Sequence, residues 1–175
     1  MTPSPLRASG ILSAVKRAGV ALAVVLAAAA CASAPKPPVE QRTTQGPSAE
    51  AMFLHRVALA NGREPTFEER LHWEHELDSA IGRYLAKDQE FANSLQLSAF
   101  RFTRQPAVGM SKEQVEILLG PPERETTDPG EIERLAGKFA PEVRPHATEA
   151  WLYPMGWRLY FSGARLVDIT QHQPR

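Results

Sequence analysis

The residues best suited to chemistry are the histidines and carboxylates of the stretch HWEHE, residues 72–76. On a helix, His72 and His75 lie three residues apart, a spacing that can place two metal ligands on one face. The stretch is not the H-E-x-x-H motif, and a third ligand would have to come from a distant histidine such as His55 or His146. A solvated helix face explains the same residues, and we predict no metal site.

Nucleophilic catalysis finds no support in the sequence. No G-x-S-x-G elbow occurs, and the single cysteine, Cys31, lies at the end of an apolar N-terminal segment. Carboxylates are numerous, but no pattern indicates that two of them converge. We predict a protein without enzymatic activity and without a cofactor.

The segment before Cys31 has the features of an export signal. Lys16 and Arg17 precede an uncharged run of about a dozen residues, which is shorter than the roughly 20 residues of a membrane-spanning helix. The segment resembles the signal of bacterial lipoproteins, in which cleavage before the cysteine is coupled to its acylation. Residues 1–30 are thus interpreted as a lipoprotein signal peptide and Cys31 as the lipidation site. Ordinary cleavage after the small residues 28–30 is the alternative.

Charge argues against a nucleic-acid partner. The 175-residue chain has formal net charge +0, but residues 1–30 hold three basic and no acidic side chains. The remainder therefore has 17 basic against 20 acidic side chains, a net charge of −3. A nucleic-acid binder is expected to be basic.

The next two regions differ in composition. Residues 31–48 are rich in proline and small polar residues, which predicts a disordered tether. Residues 49–104 predict a helical region, whose second helix begins at a capping box of Thr66 and Glu69. Apolar residues from Trp73 to Leu85 recur at helical spacing and predict one buried face.

The most organised stretch is GMSKEQVEILLGPP, residues 109–122. Ser111 and Gln114 have the spacing of a capping box, and Met110 and Val115 that of a hydrophobic staple. Gly120 can end the helix in a left-handed conformation, and Pro122 belongs to a pair that cannot continue it. Gly109 permits a sharp turn before the cap. Each of these residues has a structural explanation.

The carboxy-terminal part predicts an antiparallel meander of three strands. The runs EAWLY, WRLYF and RLVDIT are aromatic and β-branched and are separated by turn residues. Alternation places Trp157, Leu159 and Phe161 on one face, and sets Leu166 and Asp168 opposite to Val167 and Ile169. Before them, a charged helix is expected to start near Asp128. The segment containing that helix is either an insertion that contacts a partner or a solvated connection.

These patterns together resemble the SmpA/OmlA (BamE-like) family of outer-membrane lipoproteins over residues 108–170. The resemblance implies an α+β fold, in which N-terminal helices precede a short helix packed on a three-stranded antiparallel sheet, with the family domain at residues 105–172. It also implies a lipid-anchored protein on the periplasmic side of the outer membrane. The residues that carry it are Gly109, Met110, Ser111, Val115, Leu119, Gly120, Pro122, Trp151, Tyr153, Leu159, Phe161 and the run ARLVDI.

Two functions fit this reading. The first is an interaction module that serves outer-membrane protein assembly or outer-membrane integrity, with the assembly complex or other envelope proteins as partners. The second is a non-catalytic, ligand-binding or inhibitor-like periplasmic lipoprotein. Trp157 and Tyr160 are the candidate partner surface, provided that they lie on an exposed apolar patch. If the aromatic residues face the core, recognition falls to the loops.

Overall fold

The computed structural model describes residues 39–94 and 96–173. Two long helices, of 13 and 21 residues, follow the first strand, and shorter helices occur further along the chain. The α-helices are α1 (Ala49–Asn61), α2 (Phe67–Lys87), α3 (Lys112–Leu119), α4 (Pro129–Ala136) and α5 (Ala140–Val143). Short 3₁₀ helices cover Phe91–Asn93, Gly137–Phe139 and Pro154–Gly156, and a π-helix covers Ala99–Thr103.

The strands form one antiparallel sheet in the order β1-β5-β4-β3-β2. They are β1 (Val39–Thr43), β2 (Arg124–Thr126), β3 (Glu149–Tyr153), β4 (Trp157–Ser162) and β5 (Arg165–Gln173). The α+β class and the predicted meander β3-β4-β5 are confirmed. The expected count of three strands is wrong, because β1 and β2 each add an edge.

Strand β1 corrects the prediction that all of residues 31–48 form a disordered tether. Val39 to Thr43 pair with Gln173 to Ile169 of β5, and Ser48 caps α1 by accepting a hydrogen bond from the Ala51 backbone. Residues 39–48, which were included in the predicted tether, therefore belong to the folded domain. The sequence VEQRT has no apolar alternation, so a strand here depends on contacts with residues more than a hundred positions away.

The first face of the sheet carries the main core, which α1, α2 and α3 cover. Residues of α1, α2, α3 and the sheet all contribute to this core, so residues 49–104 and residues 105–172 share it. The predicted face of α2 is confirmed, since Leu77, Ile81 and Tyr84 are buried and Trp73 and Leu85 pack against the same cluster. The largest fully buried members are Met52, Phe100, Met110, Val115, Leu119, Leu159, Phe161, Leu166 and Ile169.

The second face is covered by α4 and α5, which arise from the long segment between β2 and β3. The predicted helix start is confirmed, because the Asp128 side chain accepts a hydrogen bond from the Gly130 backbone. Ile132, Leu135 and Val143 pack with Tyr160 in a second apolar cluster. The segment is therefore more than a solvated connection, because it covers the second face of the sheet.

A β-bulge between β4 and β5 corrects the predicted alternation. Tyr160 pairs with Asp168 and Phe161 with Leu166, so Val167 is the extra residue. Leu166 and Ile169 consequently share the main core, whereas Val167 packs against the second cluster. Trp157, Leu159 and Phe161 share one face as expected.

The capping box of α2 is confirmed, and it extends into an ion pair. Glu69 accepts from the Thr66 backbone at 2.7 Å, and Thr66 caps the Glu69 backbone. Arg63 donates to both Glu69 carboxylate oxygens at 2.8 Å. These hydrogen bonds lower the pKa of Glu69 to about 2, and those from Arg63 have the largest effect.

Candidate functional site

The stretch 109–122 joins the helices to the sheet, and its backbone does part of this work. The Gly109 nitrogen donates to the Leu166 carbonyl at 2.7 Å, and the Leu166 nitrogen donates to the Met110 carbonyl at 2.8 Å. The Lys112 nitrogen donates to the Ala164 carbonyl at 3.0 Å. The stretch thereby satisfies the part of the β5 edge that β1 does not reach.

The predicted start of α3 is confirmed in detail. Ser111 accepts from the Gln114 backbone at 3.2 Å, and the Gln114 side chain accepts from the Ser111 backbone at 2.6 Å. Met110 and Val115 are both fully buried in the main core, as a hydrophobic staple requires.

We expect Ser111→Ala to lower the free energy of unfolding by about 1 kcal/mol, because the backbone N–H of Gln114 loses its hydrogen-bond acceptor. Chemical denaturation measures the change. Ser98→Ala is the matched control, since Ser98 is exposed and its side chain caps no backbone group of the π-helix it precedes. An equal cost for both variants would contradict the capping role.

A charged and aromatic contact reinforces the same corner. Lys112 pairs with Glu149 at 2.5 Å, and Glu149 also accepts from the Trp151 indole at 2.5 Å. The Lys112 ammonium lies 5.5 Å from the Trp151 ring centre and 5.7 Å from that of Phe161. The aromatic residues of the motif region are therefore part of the packing of α3 on the sheet.

The far end of α3 is held by a residue that the sequence did not single out. Gly120 has φ +70°, and a Cβ there would lie 2.5 Å from Nη1 of Arg56. The Arg56 guanidinium donates to the Pro121 carbonyl at 2.8 Å, and the Tyr153 hydroxyl donates to the Gly120 carbonyl at 2.9 Å. The backbone angle favours glycine here, and a Cβ would in addition displace the end of the Arg56 side chain. The predicted helix stop at Gly120 is confirmed, although its ψ of −170° lies outside the left-handed helical region.

Gly109 has a comparable explanation. Its φ is +98°, and a Cβ there would overlap the side-chain amide of Gln96. The Gly109 carbonyl also accepts from Arg165 at 3.0 Å. Contacts with Gln96 and Arg165 were beyond sequence reasoning, because both depend on the tertiary fold.

A cleft of about 290 Å³ lies between α1, α2 and α3. One wall is the stacked pair of Phe53 and Trp73, whose ring centres are 4.6 Å apart with an interplanar angle of 8°. Arg56, Glu76 and Glu116 supply charged groups beside it. The cleft can accept an apolar group, with a cation and two carboxylates available to orient a polar end.

The predicted partner surface is wrong at Tyr160, and at Trp157 it stays a prediction. Tyr160 is fully buried beneath α4 and α5, and its hydroxyl lies 3.1 Å from that of Thr170. Burial raises the pKa of Tyr160. Trp157 is partly buried and packs against the main core. The covering helices explain the error at Tyr160, since strand alternation does not show what covers a face.

Exposed apolar side chains occur elsewhere, chiefly in a set we term the apolar tip: Leu59, Phe67, Leu71 and Met155. Their exposed fractions are 69%, 74%, 42% and 36% respectively. Leu59 lies in the last turns of α1, Phe67 and Leu71 in the first turns of α2, and Met155 in the β3–β4 turn. The sequence did not identify this set, because apolar residues at the ends of helices and strands can be either buried or exposed.

The second face also contains a polar group around His172 near the β1 edge. His172 Nε2 lies 3.1 Å from Glu40, whereas Nδ1 is buried and has no hydrogen-bond partner among the described residues. Burial first and the charge of Arg158 second lower the pKa of His172; Glu40 opposes these effects and Lys138 adds to them weakly. The neutral form of His172 is the one that the fold favours.

This arrangement predicts a stability that falls on acidification. A histidine whose pKa is lower in the folded than in the unfolded chain stabilises the fold above pH 6.5, its ordinary pKa, and less as the pH falls below it. We expect His172→Gln to show a smaller loss of melting temperature than the wild type between about pH 7.5 and about pH 5.5. The exposed His146→Gln is the matched control. A steeper loss in His172→Gln would contradict the prediction.

The histidines of HWEHE lie on the exposed side of α2, where His72 is 3.3 Å from Glu76. Within residues 39–94 and 96–173, no group of three or more His, Cys, Asp or Glu side chains is arranged to hold a metal ion. In the same part of the chain, no helix has the length and apolar character to cross a membrane. Cys31 and the predicted signal lie outside the described residues.

Comparison with known proteins adds no relative. No protein-family model, no curated protein and no solved structure matches the chain.

Proposed function

We propose that the chain is a lipid-anchored interaction module of the bacterial envelope, without enzymatic activity, that serves outer-membrane protein assembly or outer-membrane integrity. The observation that carries this proposal is the position of Cys31. It follows an apolar segment preceded by basic residues, and it lies eight residues before β1, the first strand of the described domain. An anchor at Cys31 would therefore hold a folded domain at the membrane.

The arrangement of the domain supports recognition through its ends and helices. Helices cover both faces of the sheet, Tyr160 is fully buried, and Trp157 is partly buried against the main core. The exposed apolar side chains of the apolar tip are instead free to contact another surface. A partner in the outer-membrane assembly complex, or another envelope protein, is the proposed binding target.

An affinity pull-down from the native envelope tests this function. The protein carries a carboxy-terminal tag, is extracted in mild detergent, and is compared with Cys31→Ser, which cannot be acylated. We expect subunits of the outer-membrane assembly machinery, or other envelope proteins, to co-purify with the wild type and to decrease in the variant. Recovery of the same proteins from both samples, or of none, would contradict an anchored interaction module.

The cleft supports a second candidate, a non-catalytic ligand-binding lipoprotein. The stacked rings of Phe53 and Trp73 and the neighbouring Arg56 could bind an apolar molecule with an anionic end. Native mass spectrometry of the protein from the envelope would detect such a ligand. We expect Ala80→Leu, which fills the cleft, to abolish binding, and a ligand retained by this variant would exclude the cleft.

A further inference from the structure

We propose that the apolar tip contacts the lipid bilayer, so that the domain lies on the membrane through the end at which its tether begins. The inference rests on the proposed anchoring at Cys31. It assigns a lipid surface as the occupant of Leu59, Phe67, Leu71 and Met155, and it places this contact in addition to any protein partner.

The sheet defines the end in question. Val39, where the described chain begins, pairs with Gln173, and Trp157 of β4 pairs with Gln171 two positions away. Trp157 also pairs with Tyr153 at the end of β3. The β3–β4 turn with Met155 is therefore at the same end of the sheet as Val39. The Gln171 side chain donates to the Met155 carbonyl at 3.3 Å, which ties the turn to β5 there.

The helices bring the other three side chains to that end. Helix α3 begins beside Glu149, the first residue of β3, and ends where the Gly120 carbonyl accepts from Tyr153, the last one. Helix α2 runs in the opposite direction, because Lys87 in its last turn pairs with Glu113 in the first turn of α3.

The beginning of α2 accordingly lies on the Gly120 side. Trp73 and Glu76 line the cleft next to Leu119 and Gly120, and Phe67 precedes Trp73 by six residues, about 9 Å of helix. Helix α1 reaches Pro121 through Arg56, and Leu59 follows one turn later. The α1–α2 connection and the β3–β4 turn thus project on the side from which the tether starts.

This distribution is selective. Among the described residues, five large hydrophobic side chains are exposed, and four of them belong to the apolar tip. The fifth, Phe102, lies beside Asp78 and Gly82 of α2, near Arg104. The Phe67 side chain is 74% exposed, so packing within the domain does not explain an aromatic residue at this position.

The short length of chain between Cys31 and Val39 is compatible with this contact. Eight residue steps separate Cys31 from Val39, and an extended chain of that length spans at most about 29 Å. An acylated Cys31 would lie at the lipid–water interface, so the tether-side end of the domain would remain within that distance of it. At such a short range, even weak insertion of a few apolar side chains competes well with detachment, because the local concentration of lipid is high.

Depth-dependent fluorescence quenching tests the proposal. Phe67→Trp and Phe102→Trp place a new indole at two positions of similar exposure, 74% and 70%, one in the apolar tip and one outside it. Each protein is purified from the envelope and reconstituted into phosphatidylcholine vesicles with and without brominated acyl chains. The wild type provides the background from its own tryptophans, circular dichroism verifies the fold, and mass spectrometry of the same samples reports acylation of Cys31.

We expect brominated lipid to quench the indole at position 67 strongly and that at position 102 little. Acylated protein with equal or no quenching at both positions would overturn the membrane contact and leave the anchored module intact. Absence of acylation would instead overturn the anchoring, and the inference with it. If position 67 is not quenched and Phe67→Ser loses co-purifying proteins in the pull-down, the apolar tip binds a protein and the lipid contact is wrong.

Discussion

Replacing Gly156 with alanine is expected to destabilise the protein more than any other glycine replacement in the sheet. Gly156 closes the β3–β4 turn with φ +75°, and a Cβ there would overlap the carbonyl oxygen of His172 and lie 2.7 Å from its carbonyl carbon. Both are backbone atoms of β5, so a rotamer change cannot relieve the clash. The turn or the strand must move, and the contact of Gln171 with the Met155 carbonyl would be lost as well.

Gly163 provides the matched control in the next turn of the same meander. Its φ is +57°, and a Cβ there would meet no atom within 4 Å. Gly163→Ala should therefore cost only the left-handed backbone strain, about 1–2 kcal/mol. Gly156→Ala should cost up to about 3 kcal/mol more, as overpacking against a fixed neighbour does, which corresponds to a melting temperature lower by roughly 10 °C. Thermal unfolding monitored by circular dichroism compares the two, and similar midpoints would contradict the role assigned to Gly156.

Gly156 shows which parts of the fold could be predicted from the sequence. The turn itself was predicted, because PMG separates two strand-like runs. The close approach of β5 was not, because it depends on a strand more than ten residues later. Local features such as the capping boxes at Thr66 and Ser111, the helix start at Asp128 and the three strands of the meander depend on neighbouring residues, and all were predicted.

Features that depend on distant residues were missed for the same physical reason. Strand β1 carries the polar sequence VEQRT, and its side-chain contacts with β5 are made by charged and amide groups. Tyr160 looked like a surface residue because alternation gives the face but not what covers it. Arg56 reaches the Pro121 carbonyl from a helix 65 residues earlier. The structure therefore indicates candidate sites at the helix ends and in the cleft, whereas the sequence had indicated the sheet.

Loss of the contact between Arg42 and Asp168 is expected to have the second large effect. Asp168 is 5% exposed and lies on the second face of the sheet, where its carboxylate accepts from Arg42 Nε at 2.9 and 3.0 Å and pairs with Nη2 at 2.8 Å. The hydrogen bonds to Asp168 raise the pKa of Arg42. Without this partner, a buried carboxylate would keep only the Ile169 backbone bond at 2.9 Å.

Arg42→Met preserves the aliphatic stem and removes the charge. Breaking a fully buried pair costs about 3–5 kcal/mol, but the Arg42 side chain is 44% exposed, so solvent can replace part of the contact. We expect the free energy of unfolding to fall by about 2 kcal/mol, measured by chemical denaturation. Because Arg42 lies in β1, amide hydrogen exchange should also become faster along the β1–β5 pairing.

The control is Arg124→Met in β2, the edge strand on the other side of the sheet. Arg124 pairs with Glu131 at 2.9 Å, but the two side chains are 53% and 20% exposed, and Glu131 keeps Arg134 as a second partner at 3.3 Å. That variant should cost at most about 1 kcal/mol, as surface ion pairs do. Adding Asp168→Asn to Arg42→Met should recover part of the loss, because the buried group would then be neutral. Equal costs for the two arginines, with no recovery in the double variant, would show that the ion pair contributes little to the attachment of this edge strand.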